Sequence, residues 1–128
     1  MGKLAGGLNM KLITAEVRRA LLTHPLYSQE SAGLSAKVLV KFFGGRACTW
    51  LVTEAEPRGD DWLFYGAVNL GWGFERGYFM FSDVAGFRSS WGLPAERDLG
   101  VPPGRFTLAD LVASEGGWMP GGAGFVIA

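Results

Sequence analysis

The chain has 128 residues, no formal net charge, and apolar side chains at 48% of its positions. This length suits one domain with a real hydrophobic core, and so high an apolar fraction excludes intrinsic disorder. One cysteine and one histidine exclude an intrachain disulfide and a zinc site of several Cys and His ligands. No apolar run approaches the ~18 residues that span a bilayer. We therefore expect a cytoplasmic protein with no membrane contact, metal or cofactor.

Charge is unevenly distributed along the chain. Residues 1–46 contain seven Lys/Arg and two Asp/Glu, whereas residues 47–128 contain five and ten. A basic patch for an acidic partner is one interpretation of this split. The two halves of a small domain interleave in space, however, which favours a solvated surface of mixed charge.

Local signals near the N-terminus predict a short helix. Thr14 can cap it, Val17 and Leu21 form its apolar side, and His24 followed by Pro25 ends it. We expect His24 to be a helix-end residue, because it lacks the companions of a nucleophilic triad in recognisable order.

Alternating apolar residues then predict three strands. Val38, Val40 and Phe42 share one face of the first, which we expect to be half-buried. In the second strand Cys48 shares an apolar face with Trp50, which predicts a buried, inert thiol. An antiparallel meander is the simplest arrangement of these strands, predicted at residues 36–43, 47–54 and 62–70 with a loop over 55–61.

The second half of the chain predicts further short elements. Thr107 and Asp110 have the spacing of a capping box at the start of a helix. The other predicted elements are an apolar run at 77–81, a brief helix over 82–88 and a strand at 95–99. The predicted fold class is α+β, a small, mainly antiparallel sheet with two or three short helices packed on one face.

The domain organisation follows from the distribution of glycine. Residues 1–9, with glycine at positions 2, 6 and 7, are predicted to be a flexible leader. A single α+β domain is expected over 10–115. The glycine-rich tail, 116–128, is either a mobile extension or a loop that returns a last edge strand.

Several ordered blocks of the sequence carry a resemblance: Met10–Thr14, Pro25–Glu30, Val40–Phe43, Thr49-Trp50, Asp60–Gly66, Glu75–Phe79 and Gly92–Leu99. Together they resemble the bacterial domain-of-unknown-function family numbered 2958. The resemblance covers roughly residues 10 to 106, and its most specific parts are Gly-Tyr-Phe at 77–79 and Glu-Arg-Asp-Leu at 96–99. It implies an accessory role in phages, plasmids and integrative elements, and it implies no reaction. The chain departs from the family pattern at Ala95 and at Gly100-Val101.

The acidic residues are numerous enough to suggest a hard-cation site, since carboxylate oxygens are the ligands that magnesium prefers. Their spacing matches no known metal loop, and Asp60-Asp61 lies beside a proline and a glycine, where aspartate commonly forms turns. We therefore expect no tightly bound metal. The candidate polar site comprises Glu54, Asp60, Asp61, Glu75, Glu96, Arg97 and Asp98.

The run Glu96-Arg97-Asp98 allows two interpretations. Arg97 could hold a phosphate or carboxylate while Glu96 acts as a base. Alternatively, Arg97 forms a buried or partly buried ion pair with Glu75, Glu54 or a neighbouring carboxylate and fixes a loop against the sheet. We favour the structural interpretation and predict that Arg97 is largely buried, because Leu93 and Leu99 should draw its segment onto the core.

Two loop tryptophans are the strongest candidates for a binding surface. Trp72 lies between two glycines and Trp91 precedes one, so we expect both rings to remain partly exposed. With Arg76 and Arg88 at the rim, they would suit a protein interface, where Trp and Arg supply much of the affinity.

These observations predict a non-enzymatic accessory protein of a mobile genetic element that binds a host or element-encoded protein. One alternative is a small metal-assisted hydrolase or nuclease that uses the carboxylates. Another is a module that binds single-stranded nucleic acid, with aromatic rings for stacking and a basic rim formed by Lys37, Lys41 and Arg46.

Overall fold

The computed structural model describes residues 12–120 and the backbone of residues 126–127. The helices are α1 (Ala15–Leu22), α2 (Phe81–Ala85) and α3 (Leu108–Ser114), with a 3₁₀ helix at Glu30–Ser35. The strands are β1 (Val40–Gly44), β2 (Cys48–Arg58), β3 (Asp61–Leu70), β4 (Phe74–Met80), β5 (Glu96–Arg97) and β6 (Val126–Ile127).

Within the described residues, the six strands form one sheet in the order β5-β1-β2-β3-β4-β6. All neighbouring strands are antiparallel except β6, which runs parallel to β4 at one edge. The predicted meander is present and continues into β4. The chain is thus an α+β protein with a small, mainly antiparallel sheet, as its sequence predicts.

Helices cover both faces of this sheet, although the sequence led us to expect them on one. We call the face that carries Phe42, Trp50 and Phe64 the front face, and α1 and α2 pack against it. The opposite, back face carries Leu51 and Phe74, and it packs against α3. Because the central strands are apolar on both sides, each side needs its own cover. The helix residues that provide it are Val17, Leu21, Phe81 and Val84 in front and Leu108, Leu111 and Val112 behind.

The first strand is therefore not half-buried, and this prediction was wrong. Val40 and Phe42 face the front core, as predicted, but Val38 packs in the back core instead. Lys41, between Val40 and Phe42, is only 6% exposed. Its burial depends on contacts with distant parts of the chain, which the alternation of apolar residues does not reveal.

The loop predicted over residues 55–61 is instead the second half of β2 and the start of β3. Pro57 pairs with Trp62 in this region. Proline is tolerated because β1 pairs with β2 only as far as Val52, so the missing N–H removes no bond from that edge. The turn itself is confined to Gly59 and Asp60.

Helix ends follow the predicted capping chemistry. The Thr14 hydroxyl accepts a hydrogen bond from the Val17 amide at 3.2 Å. Thr107 and Asp110 form the reciprocal capping box, with donor–acceptor distances of 3.0 and 3.2 Å. The brief second helix ends at Ala85, three residues before its predicted end.

Gly66 lies beside a bulge at which the register of β2 against β3 shifts between Val52 and Glu54. A Cβ atom at Gly66 would lie 1.8 Å from the carbonyl oxygen of Leu51. Only glycine allows the two backbones to approach this closely.

The C-terminal residues return to the sheet, which agrees with the second alternative for the tail. Trp118 packs edge-on against Phe74, with ring centroids 6.4 Å apart, and β6 pairs with β4. The predicted leader, residues 1–9, lies outside the described residues.

Candidate functional site

Two grooves border the turn that joins β1 to β2. The inner groove, of about 850 Å³, lies towards the back face, and its lining includes Lys41, Arg46, Asn69, Trp72, Asp98 and Glu115. The outer groove, of about 430 Å³, has a lining that includes Arg46, Phe87, Arg88, Trp91, Leu93 and Glu96. Phe43, Arg46 and Cys48 line both grooves, so the two cavities form one continuous surface around the turn.

The turn that carries the exposed Trp72 is held by the buried side chain of Asn69. The side-chain oxygen of the buried Asn69 accepts hydrogen bonds from the amides of Gly71 and Gly73 at 2.7 and 3.1 Å. Both glycines have positive φ angles, of 119° and 107°, which L side chains rarely adopt. The ring of Trp72 is consequently held outwards and is 76% exposed.

Trp91 is presented in a similar way at the outer groove. The hydroxyl oxygen of Ser89 accepts hydrogen bonds from the amides of Trp91 and Leu93 at 3.2 and 3.1 Å. Trp91 is 88% exposed, and the neighbouring Leu93 is 62% exposed. Arg88 is anchored by its guanidinium, which donates to the carbonyl oxygens of Ala85 and Phe87. The exposure predicted for Trp72 and Trp91 is confirmed.

An ion-pair triad around the buried Lys41 lies in the inner groove. The Nζ atom of Lys41 lies 3.0 Å from Asp98 and 2.7 Å from Glu115. Burial opposes the charged form of Lys41, but the hydrogen bonds to Glu115 and Asp98 outweigh it and raise its pKa. Lys41 thereby joins the end of α3 and the segment after β5 to the sheet.

The same contacts make folding sensitive to acid. Desolvation favours the neutral form of Asp98, but hydrogen bonds from the Gly100 amide and Lys41 outweigh it and lower its pKa below 3.8. Asp98 therefore contributes stability above about pH 4, and this contribution is lost as the pH falls through its folded-state pKa. We expect Asp98→Asn to be less stable than the parent at pH 6, and the difference in unfolding free energy to shrink as the pH falls below about 4. Urea unfolding at pH values from 6 downwards measures this difference. An equal difference at every pH would contradict the prediction.

Arg97 is less buried than predicted. It is half-buried, and the carboxylate of its neighbour Asp98 pairs with Lys41. Leu93 and Leu99 are 62% and 79% exposed, so they do not draw the segment inwards. Ala95, only 5% exposed, supplies the contact with the core. A small residue fits there because β5 lies close to the β1–β2 turn.

The remaining acidic candidates are spread over the molecule. Glu54 accepts backbone hydrogen bonds on β2, and Asp61 accepts them from the amides of Trp62 and Ser82. Asp60, Glu75 and Glu96 occupy the β2–β3 turn, β4 and the edge strand β5 respectively. Within the described part of the chain, no three Asp, Glu, His or Cys side chains are grouped so as to hold a metal ion.

Cys48 and Arg76 also differ from expectation. Cys48 is half-buried at the start of β2 and borders both grooves, although burial still raises the pKa of its thiol. Arg76 lines neither groove. It lies instead with three tyrosines in a separate pocket, which the sequence did not indicate because Tyr27, Tyr65 and Tyr78 are far apart in the chain.

His24 lies just after α1, as predicted, with its Nδ1 atom 2.9 Å from the carbonyl oxygen of Ala20.

None of the helices in the described residues is both long and apolar enough to cross a membrane.

Comparison with known proteins gives one family. The sequence model of that family matches residues 12–114, and its description is "Protein of unknown function (DUF2958)". No curated protein and no solved structure matches the chain.

Proposed function

The chain belongs to the DUF2958 family of proteins of unknown function, and from this premise we propose that it is a non-enzymatic accessory protein of a mobile genetic element. It acts in the cytoplasm by binding a host or element-encoded protein. The binding surface comprises the two grooves around the β1–β2 turn, with Trp72 and Trp91 as its anchors. The association with phages, plasmids and integrative elements comes from the resemblance of the sequence to the family.

The observation that carries the proposal is the exposure of two tryptophans, 76% and 88%, on adjoining grooves. Burial of a large apolar side chain contributes roughly 1.5–3 kcal/mol, so two such rings can supply much of the affinity of an interface. The exposed Leu93 extends the apolar surface beside Trp91.

Rigid presentation supports the same conclusion. Asn69 fixes the turn of Trp72, and Ser89 fixes the turn of Trp91. A surface ordered before binding loses less conformational entropy when the partner arrives. Arg46 and Arg88 border the tryptophans and add the residue type that most often accompanies tryptophan at binding hot spots.

The charges of the inner groove favour a protein over a nucleic acid. Lys41 and Arg46 are its cations, but Asp98 and Glu115 pair with Lys41 and balance the charge. A surface that tracks a phosphate backbone needs an excess of positive charge. The hydrolase alternative gains no support either, because the described carboxylates are dispersed.

Capture from a lysate of a bacterial host tests the proposal. We expect the parent protein to retain a specific protein that the double variant Trp72→Ala/Trp91→Ala does not. Leu22→Ala is the matched control, since Leu22 is 51% exposed on α1, on the front of the sheet. Equal recovery by parent and double variant would contradict the proposal. Recovery of nucleic acid with a steep salt dependence would favour the nucleic-acid alternative.

A further inference from the structure

A separate pocket lies on the back of the sheet, away from the two grooves. Its volume is about 210 Å³, and its lining comprises Tyr27, Glu30, Glu54, Tyr65, Arg76 and Tyr78. We call it the tyrosine pocket. It shares no lining residue with either groove, and the exposed Tyr27 and Glu30 open it to solvent.

Arg76 has hydrogen-bonding capacity that the described residues do not use. Its guanidinium lies 5.6 Å from the ring centroid of Tyr65. The Nε atom is buried and has no hydrogen-bond partner within the described part of the chain. A buried donor without a partner costs about 1–3 kcal/mol, and such a group calls for a partner from elsewhere. The planar guanidinium is well suited to pairing with a carboxylate.

Glu54 forms the opposite side of the pocket and is only 4% exposed. Its two oxygens accept hydrogen bonds from the amides of Tyr27 and Gln29 at 2.7 and 3.0 Å. These bonds hold Tyr27 at a φ of 75°, the one positive φ of a non-glycine residue in the described ranges. Backbone strain of this kind costs about 1–3 kcal/mol and is concentrated at ligand sites.

The tyrosine side chains of the pocket contact one another. The rings of Tyr65 and Tyr78 lie 4.8 Å apart. A hydrogen bond with Tyr27, together with burial, raises the pKa of Tyr78 to about 12, so its hydroxyl stays protonated. The pocket therefore presents aromatic faces and neutral hydroxyls between an arginine and two glutamates.

The opposite charges in this pocket do not pair with each other. Neither Glu30 nor Glu54 forms a salt bridge with Arg76, although all three line the same cavity. A ligand that satisfies both sides needs an anionic group for Arg76 and a cationic group for the glutamates and the aromatic faces. A volume of about 210 Å³ suits a small molecule.

We propose that the tyrosine pocket binds a small zwitterionic α-amino acid. Its carboxylate pairs with Arg76, and its ammonium group faces Glu54, Glu30 and the tyrosine rings. This site is independent of the tryptophan surface and goes beyond the function proposed above.

Titration of the full chain with glycine, L-alanine and L-serine, followed by calorimetry and by NMR, tests the proposal. We expect saturable binding of at least one of them, and binding at least about tenfold weaker for propionate and for ethylamine, which each carry one of the two charges. Absence of binding at ~10 mM amino acid would contradict the proposal. Equal binding of propionate or of ethylamine would also contradict it, because it would indicate a simple anion or cation site.

Substitutions inside and outside the tyrosine pocket show where the amino acid binds. Arg76→Gln should weaken amino-acid binding at least about tenfold, whereas Arg105→Gln should not. Arg105 is the matched control, because its guanidinium lies 5.7 Å from the Phe106 ring outside the pocket. Tyr78→Phe keeps the ring, loses the hydroxyl group and should weaken binding severalfold. Unchanged binding in both Arg76→Gln and Tyr78→Phe would contradict the assignment, and full binding by Trp72→Ala/Trp91→Ala would confirm that the two sites are separate.

Discussion

Replacement of Gly66 by alanine is expected to destabilise the protein by at least about 4 kcal/mol. The added methyl group would lie 1.8 Å from the carbonyl oxygen of Leu51, a backbone atom in the middle of the sheet. Because β2 is paired on both sides at Leu51, neither strand can move without breaking bonds of the ladder. Urea unfolding followed by tryptophan fluorescence measures the loss.

Gly59→Ala is the matched control for this substitution. Gly59 has no atom within 4 Å of an added Cβ, but its φ of 63° is left-handed. We expect a cost of only about 1–2 kcal/mol from backbone strain. If Gly66→Ala lowers the free energy of unfolding no more than Gly59→Ala does, the backbones of β2 and β3 do not approach each other this closely at the bulge.

Replacement of Lys41 by alanine should lower the free energy of unfolding by about 2–4 kcal/mol. Loss of one partner of a buried ion pair costs about 3–5 kcal/mol. Water offsets part of this cost, because the side chains of Asp98 and Glu115 remain 30% and 35% exposed. Lys41→Met removes the charge but keeps most of the side-chain volume. The difference in unfolding free energy between Lys41→Met and Lys41→Ala therefore measures the contribution of side-chain packing.

The control for Lys41 is Arg58→Ala, which removes the solvent-exposed ion pair with Glu56. Such exposed pairs contribute about 0–1 kcal/mol. A Lys41→Ala protein as stable as the Arg58→Ala protein would show that the triad does not hold α3 and the β5 segment to the sheet.

Features that depend on neighbouring residues were predictable from the sequence. The caps at Thr14 and Thr107, the turn after β1 and the alternation in β3 all follow from local chemistry. Exposure of Trp72 and Trp91 was predictable for the same reason, since glycines beside each ring leave the turn without side-chain cover.

Features that depend on contacts between distant residues were not predictable. Lys41 and Glu115 are 74 positions apart, and Tyr27 and Glu54 are 27 apart. A lysine in an alternating strand therefore indicates a solvated face, whereas its actual partners bury it. The burial of Arg97 was overestimated because the apolar residues near it suggested a core position, while β5 has only two residues and leaves Leu99 exposed.

Site-specific photo-crosslinking in the host shows whether Trp72 and Trp91 contact a protein partner. A photoreactive amino acid is placed at position 72, at position 91 or, as a control, at position 22. We expect a covalent adduct with the same protein from positions 72 and 91 and none from position 22. Adducts of equal yield from all three positions, or adducts with nucleic acid alone, would contradict it.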